Sequence, residues 1–143
     1  MFNKQFERPK MRVGIIGSRL YTDRRKIFDF VGLCKKEFGE DLEIVSGGCA
    51  DGADRYAKEA ALKLGVKYVE FPPQHKPWNA YCPEPAYLYN QPYHVRYFFA
   101  RNKQIADYSD KIVAFIPSGH VSKGTNNTLM WAEKLGKPFV VIN

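Results

Sequence analysis

The sequence predicts an α/β domain: a mostly parallel, five-stranded sheet with helices packed on both faces. Three observations predict it. Short apolar runs, too compact for helices, recur along the chain and stop at Gly or Pro. Between them lie stretches with apolar residues three and four apart, the spacing of an amphipathic helix. The two kinds alternate, which calls for right-handed crossovers between parallel strands.

The elements follow in order. Met11 to Ile16 is a buried strand ending at Gly17. Asp23 can cap a helix whose apolar face is Ile27, Phe30, Val31, Cys34 and Phe38, with Gly39 as its stop. Leu42 to Val45 is the second strand. Gly52 to Leu64 is the second helix, with Ala57, Ala60, Ala61 and Leu64 inward and Gly65 at its end. Val66 to Phe71 is the third strand, closed by Pro72-Pro73. His94 to Tyr108 is helical, with Val95, Phe98, Phe99, Ile105 and Ala106 on one apolar face and Asn102 within that stripe. Ile112 to Ile116 is the fourth strand, ended by Pro117. The fourth helix runs from about Asn126 to Leu135, with Leu129, Ala132 and Leu135 inward. Gly136 stops it, and Phe139 to Ile142 is the last strand.

Residues 72–93 break the pattern. They hold six of the nine prolines together with Trp78, Tyr81, Tyr87, Tyr89 and Tyr93. So long a segment is a functional or packed insertion, and its aromatic content argues against disorder. The whole reads as one domain over residues 1–143, with an N-terminal arm over 1–10 and this insertion. The expected architecture is a Rossmann-like three-layer sandwich of strand order 3-2-1-4-5. Ligands of such sheets bind beyond the carboxyl ends of the strands, at the switch between strands one and four.

Bulk composition bounds the function. No apolar run approaches the roughly 20 residues of a membrane span. The first ten residues lack the apolar segment of a signal peptide. Cys34, Cys49 and Cys82 are odd in number and form no CxxC pair, so a reducing cytoplasm fits, and neither zinc nor a disulfide framework is signalled. His75, His94 and His120 show no metal spacing, so no metal or cofactor is expected. The net charge of +7 suits nucleic acid, a nucleotide, or merely a solvated basic surface.

The polar motifs cluster at strand ends. Gly47-Gly48, after the second strand, opens the second helix, and such a glycine turn lets backbone N–H groups and the helix dipole meet an anion. Asp51 can cap that helix and Asp54 can complement its dipole; either carboxylate can instead bond a ribose hydroxyl. Gly17-Ser18-Arg19 leaves the first strand with a hydroxyl and a guanidinium fork suited to phosphate. Arg101-Asn102 offers a polar pair that either ties the third helix to a loop or faces a ligand. Ser118-Gly119 and Gly124-Thr125-Asn126 flank the start of the fourth helix, where Thr125 can cap and free N–H groups can take an anion. No GxGxxG is present, and Thr125 stands where a P-loop needs lysine. Cys49 near a helix start has no histidine partner signalled for a nucleophilic role. The aromatic insertion can stack a base or pack onto the body.

Taken together, Gly17-Ser18-Arg19, Ser46-Gly47-Gly48 with Gly52-Ala53-Asp54-Arg55, Arg101-Asn102 and Gly124-Thr125 resemble the SLOG superfamily, which joins the Smf/DprA and Lonely Guy proteins. The small stand-alone YspA-like members are the nearest match, and the insertion suggests a phage-type one. The resemblance implies a nucleotide-binding Rossmann-like domain, often a homodimer. Lonely Guy enzymes cleave the N-glycosidic bond of nucleoside monophosphates with a PGGxGTxxE motif and an upstream arginine. Pro117-Ser118-Gly119 and Gly124-Thr125 match that motif with a longer loop, and Arg101 matches the arginine. Thr128 occupies the glutamate position, which removes the carboxylate that would stabilise oxocarbenium charge or activate water.

The expected ligand site is therefore Gly17, Ser18, Arg19, Ser46, Gly47, Gly48, Asp51, Asp54, Arg101, Asn102, Ser118, Gly119, Gly124, Thr125 and Asn126. The leading expectation is a sensor or sequestering protein for a nucleotide-like ligand, with the insertion covering the base. An N-glycosidase or phosphoribohydrolase using Asp51 or Asp54 with Arg101 is the alternative. Single-stranded DNA binding of the DprA kind is a third.

Overall fold

The computed structural model describes residues 10–143. All but one residue of the arm expected over 1–10 lies outside the described residues. The elements are β1 (Met11–Gly17), α1 (Arg24–Phe38), β2 (Leu42–Ser46), α2 (Gly52–Lys63), β3 (Lys67–Glu70), α3 (Arg96–Tyr108), β4 (Lys111–Phe115), α4 (Lys123–Lys134) and β5 (Phe139–Ile142). All four strand pairings are parallel, and the sheet order is β3-β2-β1-β4-β5, as the sequence predicts.

Alternating strand residues feed two cores. On one face Val13, Ile15, Ile44, Val113 and Phe115 meet Ile27 and Val31 of α1 and the alanine stripe of α2. On the other, Ile16, Val45, Val69, Ile112 and Ala114 meet Ile105 and Ala106 of α3 and Ala132 of α4. The small alanines let α2 lie close to the sheet. Gly14 does the same for the chain after α3, since a Cβ there would sit 2.7 Å from the Ser109 hydroxyl oxygen. Among the described residues, no helix is long and apolar enough to cross a membrane.

Helix ends show where local reading holds. Asp23 caps α1 by accepting from the Lys26 N–H at 3.1 Å, and Gly39 ends it at φ +58°. Asp51 sits at the N-cap of α2 with its side chain making no capping bond. The start of α4 is corrected: it begins at Lys123, not Asn126, because Ser122 caps it by accepting from the Thr125 N–H. Thr125 is thus a first-turn residue and not the cap. Leu135 is 40% exposed and not inward, because it follows the last turn of α4.

The insertion packs on the β3 edge. The Glu70 N–H donates to the Tyr81 carbonyl at 3.0 Å, and the Tyr81 ring meets Tyr68 edge-on at 5.3 Å. Glu70 is buried, and its carboxylate accepts from the Tyr68 hydroxyl, the Lys58 ammonium and the Asn79 amide. Burial and the neighbouring Glu70 charge push the Tyr68 hydroxyl well above its usual range. The insertion therefore guards a sheet edge that would otherwise present unpaired backbone groups.

Candidate functional site

Three polar loops leave the carboxyl ends of β1, β2 and β4 and meet α3 around a cavity of about 460 Å³. Its position at the switch between β1 and β4 follows from the topology. The turn after β1 is built first. Gly17 has φ +155°, and a Cβ there would lie 2.1 Å from the Phe115 carbonyl oxygen. Ser18 then donates its N–H to that carbonyl at 3.1 Å. Its own carbonyl accepts from Ala53 N–H at 3.1 Å and Tyr21 N–H at 3.2 Å.

That contact changes the role of the Gly47-Gly48 turn. The Ala53 N–H in the first turn of α2 is spent on Ser18. The Cys49 N–H donates to Asp54 at 3.0 Å, and the Gly48 N–H to the Ser46 hydroxyl at 3.2 Å. Much of the donor set that would take an anion at α2 is used inside the protein. Gly48, at φ +74°, is pressed against Glu70, so that a Cβ would fall 2.4 Å from its carboxyl carbon. Gly47 faces the cleft and lets Arg101 lie flat upon it, with Nη1 2.5 Å from where a Cβ would be.

Arg101 is fixed by three acceptors. Nη1 donates to the Gly47 carbonyl at 2.6 Å and more weakly to that of Phe71 at 3.4 Å, and Nε to Asn102 Oδ1 at 3.1 Å. Among the described residues Nη2 has no protein acceptor, and the guanidinium lines the cavity. Asn102 is buried and fills both roles open to it. Its amide donates to the Gly124 carbonyl at 3.3 Å and to Asn127 at 3.2 Å, tying α3 to α4, while it also lines the cleft.

The opposite wall is the first turn of α4. Ser122, Lys123, Gly124, Thr125 and Thr128 line it. The Ser122 and Thr125 hydroxyls bond each other at 2.8 Å, and the Thr128 hydroxyl donates to the Gly124 carbonyl at 3.1 Å. The N–H groups of Lys123 and Gly124 stand ahead of the first intrahelical bond, at the positive end of the helix dipole. Arg19, Arg101 and Lys123 set three cations around the cleft against the carboxylate of Asp54. Burial raises the pKa of Asp54, opposed by Arg101, by the Cys49 N–H and by Arg19. Burial likewise lowers that of Arg101, opposed by Asp54.

The structure brings together nine of the expected residues: Gly17, Ser18, Arg19, Gly47, Asp54, Arg101, Asn102, Gly124 and Thr125. The others stand apart from the cavity lining. Ser46 is fully buried beneath the turn, Gly48 faces Glu70, and Asp51 is exposed. Ser118, Gly119 and Asn126 lie outside the lining. Val95, Phe98 and Phe99, on the expected apolar face of α3, form the apolar wall of the cleft, with Val95 and Phe99 half exposed. No residue of the 72–93 insertion lines it, against the expectation that this segment covers the ligand there. Ser122 and Lys123 went unread because α4 starts earlier than its apolar pattern; the spacing of Ser122 to Thr125 was the available signal. Among the described residues no cluster of metal-ligating side chains occurs.

Comparison with known proteins gives the fold and a family likeness over part of the chain. No curated protein matches the sequence. The molybdenum cofactor binding protein of the phototrophic bacterium Rippkaea orientalis superposes with a TM-score of 0.68 at 19% identity, over 94% of this chain and 77% of that one. The molybdenum cofactor carrier protein MCP from Chlamydomonas reinhardtii gives 0.60 at 19% identity, over 92% and 76%. Another structure of that carrier protein gives 0.60 at 20% identity, over 93% and 76%. At such identities the likeness is one of fold. Residues 11–78, which carry β1 to β3 and both glycine turns, match the model of the YspA, cpYpsA-related SLOG family.

Proposed function

We propose that the cleft between the β1 and β2 loops, α3 and α4 binds a small anionic, nucleotide-derived ligand and holds it without cleaving it. The observation that carries this is the arginine at its centre. Arg101 is held by the Gly47 carbonyl and Asn102, with a weaker contact to Phe71, while its side chain lines the cavity and Nη2 has no protein acceptor among the described residues. A cation held in place before the ligand arrives binds with little ordering cost. Arg19, Lys123 and the first-turn N–H groups of α4 surround the same space and suit phosphate. Phe98, Phe99, Val95 and Val121 give a flat ring system an apolar wall. Solved proteins of like fold include a molybdenum cofactor binding protein and a molybdenum cofactor carrier protein. That cofactor therefore joins nucleoside phosphates among the candidates. The three cysteines are free, which accords with a reducing compartment.

The test is thermal unfolding and calorimetry against nucleoside mono- and diphosphates, ADP-ribose, cyclic nucleotides and molybdenum cofactor. A ligand at a hundredfold its dissociation constant stabilises by about 2.7 kcal/mol. A flat response across the whole panel overturns the reading. One observation favours a second reading: Asp54 places a carboxylate on the cleft. Release of free base from a nucleoside monophosphate, lost in Asp54→Asn, would establish a glycosidase; Asp51, outside the cleft, drops out as its partner.

A further inference from the structure

The insertion touches the back of two cleft walls, although none of its residues lines the cleft. The first contact runs through Glu70, the last residue of β3. The Asn79 amide donates to Glu70 Oε2, while the Tyr68 hydroxyl at 2.8 Å and the Lys58 ammonium at 3.2 Å hold Oε1. Asn79 Oδ1 accepts the Tyr81 N–H at 2.9 Å, and the Tyr81 carbonyl accepts from the Glu70 N–H at 3.0 Å. The carboxylate is thus clamped by α2, β3 and the insertion. Gly48 leans on it: its φ is +74°, and a Cβ there would lie 2.7 Å from Glu70 Oε2. Gly47, beside Gly48, gives its carbonyl to Arg101 Nη1 at 2.6 Å, and Phe71, beside Glu70, offers a weaker second one at 3.4 Å. Both carbonyls that aim Nη1 therefore stand one residue from the contact between Gly48 and Glu70.

The second contact is His75. Its ring packs 4.9 Å from Phe98 and 4.6 Å from Tyr93, centroid to centroid. Both ring nitrogens are buried without a partner among the described residues, so the imidazole serves by its faces. Phe98 belongs to the cleft wall, and its ring centre lies 5.9 Å from the guanidinium carbon of Arg101. Six prolines stiffen the segment that makes both contacts. A binding group without such packed support drifts from its productive geometry. From these contacts we infer that the insertion positions the anion cleft from behind, with Asn79 as a positioning residue that acts through Glu70 on the Gly47-Gly48 turn and so on Arg101, and with His75 as the prop of the α3 wall.

This role rests on the cleft being an anion site, as proposed above; its test uses no ligand, so a flat ligand panel and an unmoved cleft are separate failures. Cys49 lines the cleft and is half-buried, whereas Cys34 and Cys82 are buried. Its alkylation by iodoacetamide, read by peptide mapping, reports how tightly the β2 turn is held. The ratio of its iodoacetate to iodoacetamide rates, taken against the urea-unfolded chain, reports the positive charge that Arg101 and Arg19 place there. Asn79→Ser keeps a turn acceptor for the Tyr81 N–H but is too short to reach Glu70. It should speed alkylation of Cys49 about fivefold, the effect of one lost hydrogen bond on a local opening, and should lower the rate ratio. Gly65→Ala strains a left-handed turn at φ +71° with nothing within 4 Å, so it lowers stability away from the brace and should move neither reading. Glu70→Gln combined with Asn79→Asp exchanges donor and acceptor at unchanged net charge and should restore both. Wild-type readings at Cys49 in Asn79→Ser overturn the inference. So does an equal change in Gly65→Ala, or an exchanged pair that stays at the Asn79→Ser level.

Discussion

Replacing Arg101 by Met separates the two duties of that side chain. The first is structural. Its bonds to Gly47 at 2.6 Å and Asn102 at 3.1 Å have good geometry, while the 3.4 Å contact to Phe71 is too long to matter much. Charge-assisted bonds of this kind contribute about 1.5–3 kcal/mol each. Against them stands relief from burying a guanidinium, which the lowered pKa of Arg101 reports. The net loss of folding stability should be about 2–3 kcal/mol, read as a fall in the urea midpoint at unchanged slope. The second duty is binding. A fixed donor to an anion is worth a further ~2–3 kcal/mol, so affinity for a nucleotide found in the panel should fall about 30- to 150-fold. Arg101→Lys keeps the charge but cannot serve Gly47, Asn102 and the ligand at once, so it should recover stability better than affinity. If Arg101→Met loses stability but binds within about threefold of wild type, well under 1 kcal/mol, Arg101 is only a strut and the ligand sits elsewhere.

Three further outcomes follow from the same geometry. Gly48→Ala should cost about 1–2 kcal/mol for a left-handed backbone and clearly more for displacing Glu70, whereas Gly65→Ala, at φ +71° with nothing within 4 Å, should show the backbone cost alone; equal urea midpoints would mean the turn does not rest on Glu70. Burial raises the pKa of Asp54 above the ordinary carboxylate value of 3.8, so its contribution to stability is lost as pH rises from there through the folded value. Asp54→Asn should therefore gain melting temperature over wild type progressively across that rise, and a pH-independent difference would contradict the sign. Ser122→Ala should lower stability by about 1 kcal/mol through loss of the α4 cap and should weaken ligand binding, both measured as for Arg101.

What was legible in the sequence was local. Glycine and proline stops, strand runs and the alanine stripe of α2 each report on a few neighbouring residues; together they show the strand–helix alternation, and the strand order came from the Rossmann-like architecture that such alternation suggests. Periodicity failed at α3 in an instructive way. Val95, Phe98, Phe99 and Asn102 do share one face with Ile105 and Ala106, but only the part from Asn102 onward is buried; the part before it turns into a cleft. A stripe says that a surface is apolar, not what covers it. The use of the Ala53 N–H by Ser18 could not be read at all, since it depends on two loops 35 positions apart meeting across Gly17 and Gly52. The same holds for Glu70, and for Glu43, which accepts from the Tyr108 hydroxyl at 2.6 Å. Burial and that neighbouring carboxylate push Tyr108 up to about 12. Buried carboxylates on strands read as ordinary polar residues until their partners arrive.

The placement of charge bears on whether the cleft holds or cleaves. Breaking an N-glycosidic bond builds positive charge on the sugar ring, and a carboxylate normally faces it. The residue that the motif resemblance sets at that position is Thr128, 2% exposed, its hydroxyl already given to the Gly124 carbonyl. The carboxylate that remains, Asp54, is tied to the Cys49 N–H and lies within the field of Arg101 and Arg19. Three cations and the positive end of α4 act on the same small volume. Such a field stabilises a bound anion and opposes a growing oxocarbenium cation. The electrostatics that make Arg101, Arg19 and Lys123 a good anion cradle thus argue against the cleft as a glycosidase site.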